Sequence, residues 1–336
     1  MAAREPAVKV AGRVSIAAAA TWLPPGRSHA HDAVRAGVLT DLDSRESICR
    51  EVPVADGLAA WEMASRASAA ALSDARVPAS EVDLLGYAGM SATEEEPASP
   101  AHRLARVVGV EQGVAVGVTQ MSSGGDAGLH AAIATMLVEP DTRNALVCTG
   151  MNTDELPYDR WRTGPEVVLG DGGTAVLLCR DRGPLRVRSL SRSGCAELEA
   201  TFPRFHPFRP IPAASGSGTG LFDLVKNAGL MRATVVRAVT RALADADLAE
   251  VDRIKAVYVP RIRPRTTAQV IRAALPEVVH DRLVLTGQGT GHLGPGDTLA
   301  NLTELVADDR LAEGDTALLI GLGAGFTASA LVVERG

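Results

Sequence analysis

Short apolar runs and longer helix-period stretches alternate along the whole chain, a pattern that predicts α/β layering. In the first half, residues 8–19, 82–87, 115–119 and 145–148 read as strands, and residues 57–72, rich in alanine, read as a helix with Asp56 as its N-cap. Residues 124–137 carry small side chains on most faces, as a helix packed in the middle of a protein requires. In the second half, 254–259 and 283–285 read as strands, and 221–244, 266–275 and 298–306 as helices. Each half closes on an apolar strand, a glycine turn and another apolar strand. The turns are Gly170-Asp171-Gly172-Gly173 within 167–178 and Gly321-Leu322-Gly323-Ala324-Gly325 within 317–331. This echo predicts a duplicated architecture of two closely packed halves, residues 1–182 and 183–336.

The 336 residues are 46% apolar and 22% charged, enough to bury a large core. A net charge of −6 gives no footing for nucleic acid and no polybasic face for an anionic membrane, so small molecules or other proteins are the expected partners. No run approaches the roughly 18 apolar residues of a spanning helix, and residues 1–10 lead into no signal-peptide core, so a cytoplasmic protein is expected. Cys49, Cys148, Cys179 and Cys195 are widely spaced, without a Cys-x-x-Cys pair or a histidine at zinc-like spacing. Free thiols are expected, with no metal and no resident cofactor.

The order of segments, Gly170-Asp171-Gly172-Gly173-Thr174-Ala175-Val176 and the terminal Gly321-Leu322-Gly323-Ala324-Gly325-Phe326 resemble the beta-ketoacyl-ACP synthase III family over nearly the whole chain. The resemblance implies a thiolase fold of five alternating α and β layers. It also implies a homodimer and an acyl carrier protein or coenzyme A as donor, its phosphopantetheine thioester being substrate. The family's nucleophilic cysteine stands before an apolar helix in the first half. Here that place reads Val118-Thr119-Gln120-Met121-Ser122-Ser123-Gly124-Gly125, so Ser122 matches it. The family's histidine follows a Val-Pro strand end, which here runs Val259-Pro260-Arg261, and its asparagine position holds His292. The loop Gly291-His292-Leu293-Gly294-Pro295-Gly296-Asp297 is similar to a divergent branch of antibiotic and polyketide pathways with a Cys or Ser, His and Asp triad. By motif position the triad is Ser122, His292 and Asp297.

Those residue types suit acyl transfer. A serine at the first turn of a buried helix has free amides beside it and the positive dipole end behind it. Its hydroxyl needs a base, which His292 supplies, while Asp297 fixes the imidazole tautomer once the intervening Gly-Pro-Gly folds back. Backbone amides at Ser122 and near Ala324 are the expected oxyanion donors. Arg261 cannot act as a base. Arg261, Arg263 and Arg265 read as a solvated edge or as the dock for an acidic carrier or a phosphopantetheine phosphate. Phe202, Phe205, Phe208 and Phe222 cluster in a Pro/Gly/Ser-rich stretch as a candidate pocket wall. Glu94-Glu95-Glu96 reads as an exposed loop, and His29, His31, His102, His130, His206 and His280 take no role. The leading reading is an acyltransferase acting on a small-molecule acceptor. A starter-unit synthase that primes an aromatic polyketide synthase and a catalytically silent partner subunit are the alternatives.

Overall fold

The computed structural model describes residues 8–10, 12–40, 44–45, 47, 49–90, 99–156, 159–161, 167–180, 182–201, 224–248 and 251–336. Their strands are β1 Val8–Lys9, β2 Ser15–Trp22, β3 Gly26–His29, β4 Glu51–Val54, β5 Leu84–Gly89, β6 Val114–Val118, β7 Asn144–Met151, β8 Gly172–Cys179, β9 Leu185–Gly194, β10 Ile254–Tyr258, β11 Leu283–Val284, β12 Thr316–Gly323 and β13 Thr327–Arg335. The helices used below are α1 Ala30–Arg35, α2 Ala60–Ala75, α3 Pro100–Val108, α4 Gly124–Val138, α5 Leu224–Asp245 and α6 Asp297–Val306.

To the large sheet residues 15–179 contribute five strands in the order β6-β5-β7-β8-β2, with β3 and β4 paired apart as a two-stranded sheet, and residues 185–335 contribute five in the order β11-β10-β12-β13-β9. Both sets therefore run third, second, fourth, fifth, first. The pairing directions repeat as well: β5 is parallel to β6 and β7, as β10 is to β11 and β12, and the other neighbours are antiparallel. β2 and β9 join the two sets through Ser15 with Arg186 and Ile16 with Leu185.

Alternating side chains send each set into two cores. Val147, Val176 and Leu178 from one set, and Leu319, Leu331 and Val333 from the other, face a central cluster with Leu129 and Ile133 of α4 and Leu299 and Leu302 of α6. On the opposite faces Leu146, Cys148 and Leu177 pack on Ala64, Ala67 and Ala71 of α2, and Leu318, Ile320 and Val332 pack on Val235, Val239 and Ala242 of α5. Helix, sheet, helix, sheet and helix thus stack in five layers. Burying each such Val, Leu or Ile side chain is worth about 1.5–3 kcal/mol. The central pair approaches closely because α4 begins with glycines: a Cβ on Gly125 would overlap the Pro295 carbonyl oxygen and sit 2.8 Å from a Leu299 methyl.

Several expected boundaries move. Residues 8–19 are two strands, because the chain turns at Gly12 (φ +75°) between β1 and β2. α2 starts at Ala60, not 57, since Asp56 (φ +47°) and Gly57 (φ +82°) form a turn. The side-chain acceptor at its first turn is Glu62, whose Oε2 takes the Ala59 N–H at 2.9 Å. Residues 264–274 form consecutive short helical turns in place of one regular helix over 266–275. The first glycine turn joins no strand pair either: β8 begins at Gly172, and Leu169 instead makes a single parallel bridge to His292. Residues 221–223 of the helix expected over 221–244, and Glu94, Glu95 and Glu96, lie outside the described residues.

Candidate active site

β6 delivers the chain to Met121–Ser123, a single 3-10 turn that runs into α4. Met121 takes a left-handed conformation (φ +46°), which costs a non-glycine residue on the order of 1–3 kcal/mol, so the surrounding contacts over-determine this turn. Two of those contacts are visible. Gln120 donates from Nε2 to Thr327 Oγ1 (3.3 Å) and accepts from Arg192 of β9. Gly323 leaves room for Ser123, whose backbone N would lie 2.6 Å from a Cβ placed there. The helix N-cap is Ser123 and makes no side-chain cap bond, so the Ser122 hydroxyl is not used as a cap. It lies instead 2.7 Å from His292 Nε2.

His292 is held from both sides along the backbone. Its N–H donates to Val168 O (2.8 Å), and its carbonyl accepts from Gly170 N (3.1 Å). The glycine turn at 170–173 therefore clamps the histidine loop rather than forming a hairpin. Only glycine fits at 170, because a Cβ would overlap the Thr290 carbonyl oxygen. Asp171, fully buried, fixes this turn by accepting from Ala55 N, Thr153 N and Oγ1, and Arg160.

Gly294–Gly296 folds back as a 3-10 turn and returns Asp297 to His292, with Oδ2 2.6 Å from Nδ1. Oδ2 also accepts from Arg261 N (2.8 Å), and Oδ1 accepts from Leu293 N (2.9 Å). His292 and Asp297 are 6% and 4% exposed. Burial by itself would raise the Asp297 carboxyl. The His292 imidazole and the neighbouring Arg261 outweigh that and hold it below the usual carboxylate range. With Nδ1–H donated to a carboxylate, Nε2 is the free base facing Ser122.

The structure divides the three arginines. Arg261 is 2% exposed and its guanidinium bonds Thr290, Asp297 O, Asn301 and Glu304, so the expectation that it meets a carrier or phosphate is corrected. Four of its five N–H groups meet internal acceptors and the side chain is 1% exposed, so it presents no open face to an outside anion. Arg265 is exposed and Arg263 half-buried. Ala324 opens the turn after Gly323, and the strand it leaves packs against the Met121–Ser123 turn. Phe202, Phe205, Phe208 and Phe222 lie outside the described residues.

One buried group escaped the sequence reading. Asp126, one helical turn after Ser122, is 2% exposed and accepts from Thr298 Oγ1 (3.2 Å), next to Asp297. Burial pushes its carboxyl up to about 6, against the lowering effect of the Ser329 and Thr298 hydroxyls. Its signal was present: it is the one acid in residues 124–137, a helix otherwise of small and apolar residues and a histidine. The described residues contain no group of three or more His, Cys, Asp or Glu that could hold a metal. Burial raises the Cys49 and Cys148 thiols to about 12, which makes neither a competing nucleophile.

Residues 243–335 match the family model "3-Oxoacyl-[acyl-carrier-protein (ACP)] synthase III C terminal". The chain is 27% identical over 286 residues to a Beta-ketoacyl-[acyl-carrier-protein] synthase III of Rhodospirillum centenum, covering 83% of this chain and 85% of that protein. Among solved structures, the acyltransferase ChlB3 superposes with a TM-score of 0.82 at 26% identity, over 96% of this chain and 98% of that one. The 3-oxoacyl-[acyl-carrier-protein] synthase III of Aquifex aeolicus VF5 superposes with a TM-score of 0.79 at 17% identity, over 96% and 100%. The repeated strand order, the five layers and these matches show a thiolase fold and a similarity to the ketoacyl synthase III proteins, whose family model covers the C-terminal part of the chain.

Proposed function

We propose that this protein is an acyltransferase that takes an acyl group from an acyl carrier protein or coenzyme A thioester onto Ser122 and passes it to a hydroxyl, amine or thiol acceptor in specialised metabolism. The observation that carries this reading is the continuous contact from Ser122 Oγ to His292 Nε2 (2.7 Å) and from His292 Nδ1 to Asp297 Oδ2 (2.6 Å). As Oγ attacks the thioester carbonyl, His292 takes its proton; the C–S bond breaks and the departing thiol leaves with that proton. In the second half-reaction His292 takes the acceptor's proton, the acceptor attacks the ester, and Ser122 regains the proton as it leaves. Amides at Ser122 and near Ala324 would hold the oxyanion, each such donor being worth about 2.7–4 kcal/mol. The donor's phosphopantetheine arm is substrate, and Arg265 with Arg263 is the proposed contact for its carrier.

The neighbour ChlB3, an acyltransferase, supports transfer over condensation. So does Arg261, which stands at the position of the resembled family's histidine but is turned into the protein. The matched synthases favour a second reading, a starter-unit synthase that forms a carbon–carbon bond. Incubation with carbon-14 malonyl thioester and an acyl donor separates the two. Acyl transfer predicts no carbon dioxide-coupled β-ketoacyl product; such a product at a rate comparable with transfer would establish the synthase.

We propose two further features. Residues 1–182 and 183–336 are the duplicated halves, dividing between β8 and β9. The protein forms a homodimer, for which β6 offers a sheet edge with Val114 63% and Val116 40% exposed and no second strand partner among the described residues.

A further inference from the structure

Arg261 is the largest fully buried side chain among the described residues, its side chain 1% exposed. A guanidinium taken out of water is stabilising only when its N–H groups are met, and the fold around this one is arranged to meet them. Nε donates to Thr290 Oγ1 (3.1 Å), Nη1 to Asp297 O (2.9 Å) and Asn301 Oδ1 (2.8 Å), and Nη2 to Glu304 Oε1 (2.8 Å). Asn301 is itself fixed by donating to Val259 O (3.0 Å) and accepting from Thr286 Oγ1 (2.9 Å). Gly287 (φ +95°) makes space for the stem, since a Cβ there would stand 2.7 Å from Arg261 Cγ.

These partners bracket the histidine loop. Thr290 stands two residues before His292 and donates onward to Gly291 O (2.9 Å), and Asp297 stands five residues after it. Arg261 grips Asp297 twice: its backbone N–H meets Oδ2, the same oxygen that receives His292 Nδ1–H, and its side chain meets the Asp297 carbonyl. The loop from Gly291 to Gly296 is thus closed at both ends by one side chain from the end of β10.

We infer that Arg261 is a positioning residue for the Ser122–His292–Asp297 relay, fixing the height of the His292 loop and keeping a permanent cation beside the Asp297 carboxylate. The inference rests on the acyl-transfer reading above. The charged or titratable groups facing this arrangement are Asp297, His292, Glu304, Asp126 and the Cys49 thiol, with Arg310 and Asp308 beyond Glu304. Among the described residues, Arg261 places its charge against the Asp297 main-chain carbonyl and acts on the carboxylate through space, while its backbone N–H meets Oδ2.

The test compares wild type, Arg261→Gln and Arg261→Lys in the rate at which an acyl-N-acetylcysteamine thioester labels the protein, read by intact mass from pH 5 to pH 9. Misplacing a catalytic group by about 1 Å costs on the order of 100-fold in rate. Arg261→Gln is therefore expected to slow labelling 10- to 100-fold at unchanged half-saturation. Its acid limb should move to higher pH, because loss of a fixed cation lets the imidazole–carboxylate pair take up a proton more readily. Arg261→Lys should recover part of the rate and most of the limb position. Should Arg261→Gln fail to fold, Thr290→Val removes the Nε acceptor alone and is expected to slow labelling severalfold. Labelling at the wild-type rate with an unmoved acid limb in a folded Arg261→Gln, or in Thr290→Val when that is the variant read, overturns the inference while Ser122 acylation stands. Absence of Ser122 labelling in wild type overturns the acyl-transfer reading itself.

Discussion

Asp297→Asn isolates the charge at the end of the relay with almost no change in volume. The carboxylate accepts three hydrogen bonds, from His292 Nδ1 and Arg261 N at Oδ2 and from Leu293 N at Oδ1. An amide can satisfy only one of these oxygens' roles. With its oxygen at the Oδ2 position it keeps two donors and sets its NH2 against the Leu293 N–H; the reverse flip opposes two donors and would force His292 to turn its Nε2–H towards Ser122. The first orientation is the less costly and preserves the tautomer, leaving one buried N–H unmatched at about 1–3 kcal/mol of stability. In the transition state the lost item is the attraction between imidazolium and carboxylate, about 4 kcal/mol for charges about 4 Å apart at an effective dielectric constant of 20. The neutral hydrogen bond that remains recovers about 1 kcal/mol. The net of about 3 kcal/mol is a loss on the order of 100-fold in acylation, since about 1.4 kcal/mol is tenfold. Stopped-flow release of free thiol from a short acyl thioester measures this step directly. An Asp297→Asn enzyme that acylates within threefold of wild type would refute the electrostatic role of Asp297.

Other variants test neighbouring steps. His292→Ala should lose both thiol release and transfer to acceptor by at least 1,000-fold, as removal of a shared general base does in this type of relay; loss of transfer alone would assign acylation to another base. Charge reversal at Arg265 should weaken use of a carrier-bound acyl group, and the salt dependence of that use, while sparing a short thioester mimic; equal loss with both donors would remove Arg265 from the docking surface. Burial raises Asp126 to about 6 against an ordinary 3.8, so the folded protein keeps this proton to higher pH than the unfolded chain does. Stability is therefore highest below the unfolded value and declines as pH rises from about 4 to about 6, by roughly 3 kcal/mol in all. Asp126→Asn, which keeps an acceptor for Thr298, should raise the melting temperature more at pH 8, where the buried carboxyl is charged, than at pH 4; an equal shift at both pH values would contradict the raised carboxyl.

The continuous apolar runs in β7, β8, β12 and β13 made the layered α/β fold legible, because each of these strands is buried on both faces between helices. The small-residue face of α4 announced a central helix for the same reason. Ser122, His292 and Asp297 could be picked out by motif position, but the contact between residues 122 and 292 depends on the packing of α4 against α6, which no local pattern encodes. The segment at 167–170 misled because an apolar run beside glycines satisfies both a hairpin and a loop clamp; its partner, His292, lies more than a hundred residues away. Arg261 misled for a related reason. A run of Arg261, Arg263 and Arg265 looks like surface, and only the acceptors contributed by α6 and Thr290 make the first of them a buried group.

Peptide-mapped mass spectrometry after brief incubation with an acyl thioester, in wild type and Ser122→Ala, tests the central claim most directly. The account predicts one acyl ester in wild type, located on Ser122 and absent from Ser122→Ala, with thiol released in equal amount. Acylation of Ser122→Ala at the wild-type rate, or an adduct mapped to Ser123 or to a cysteine, would contradict it.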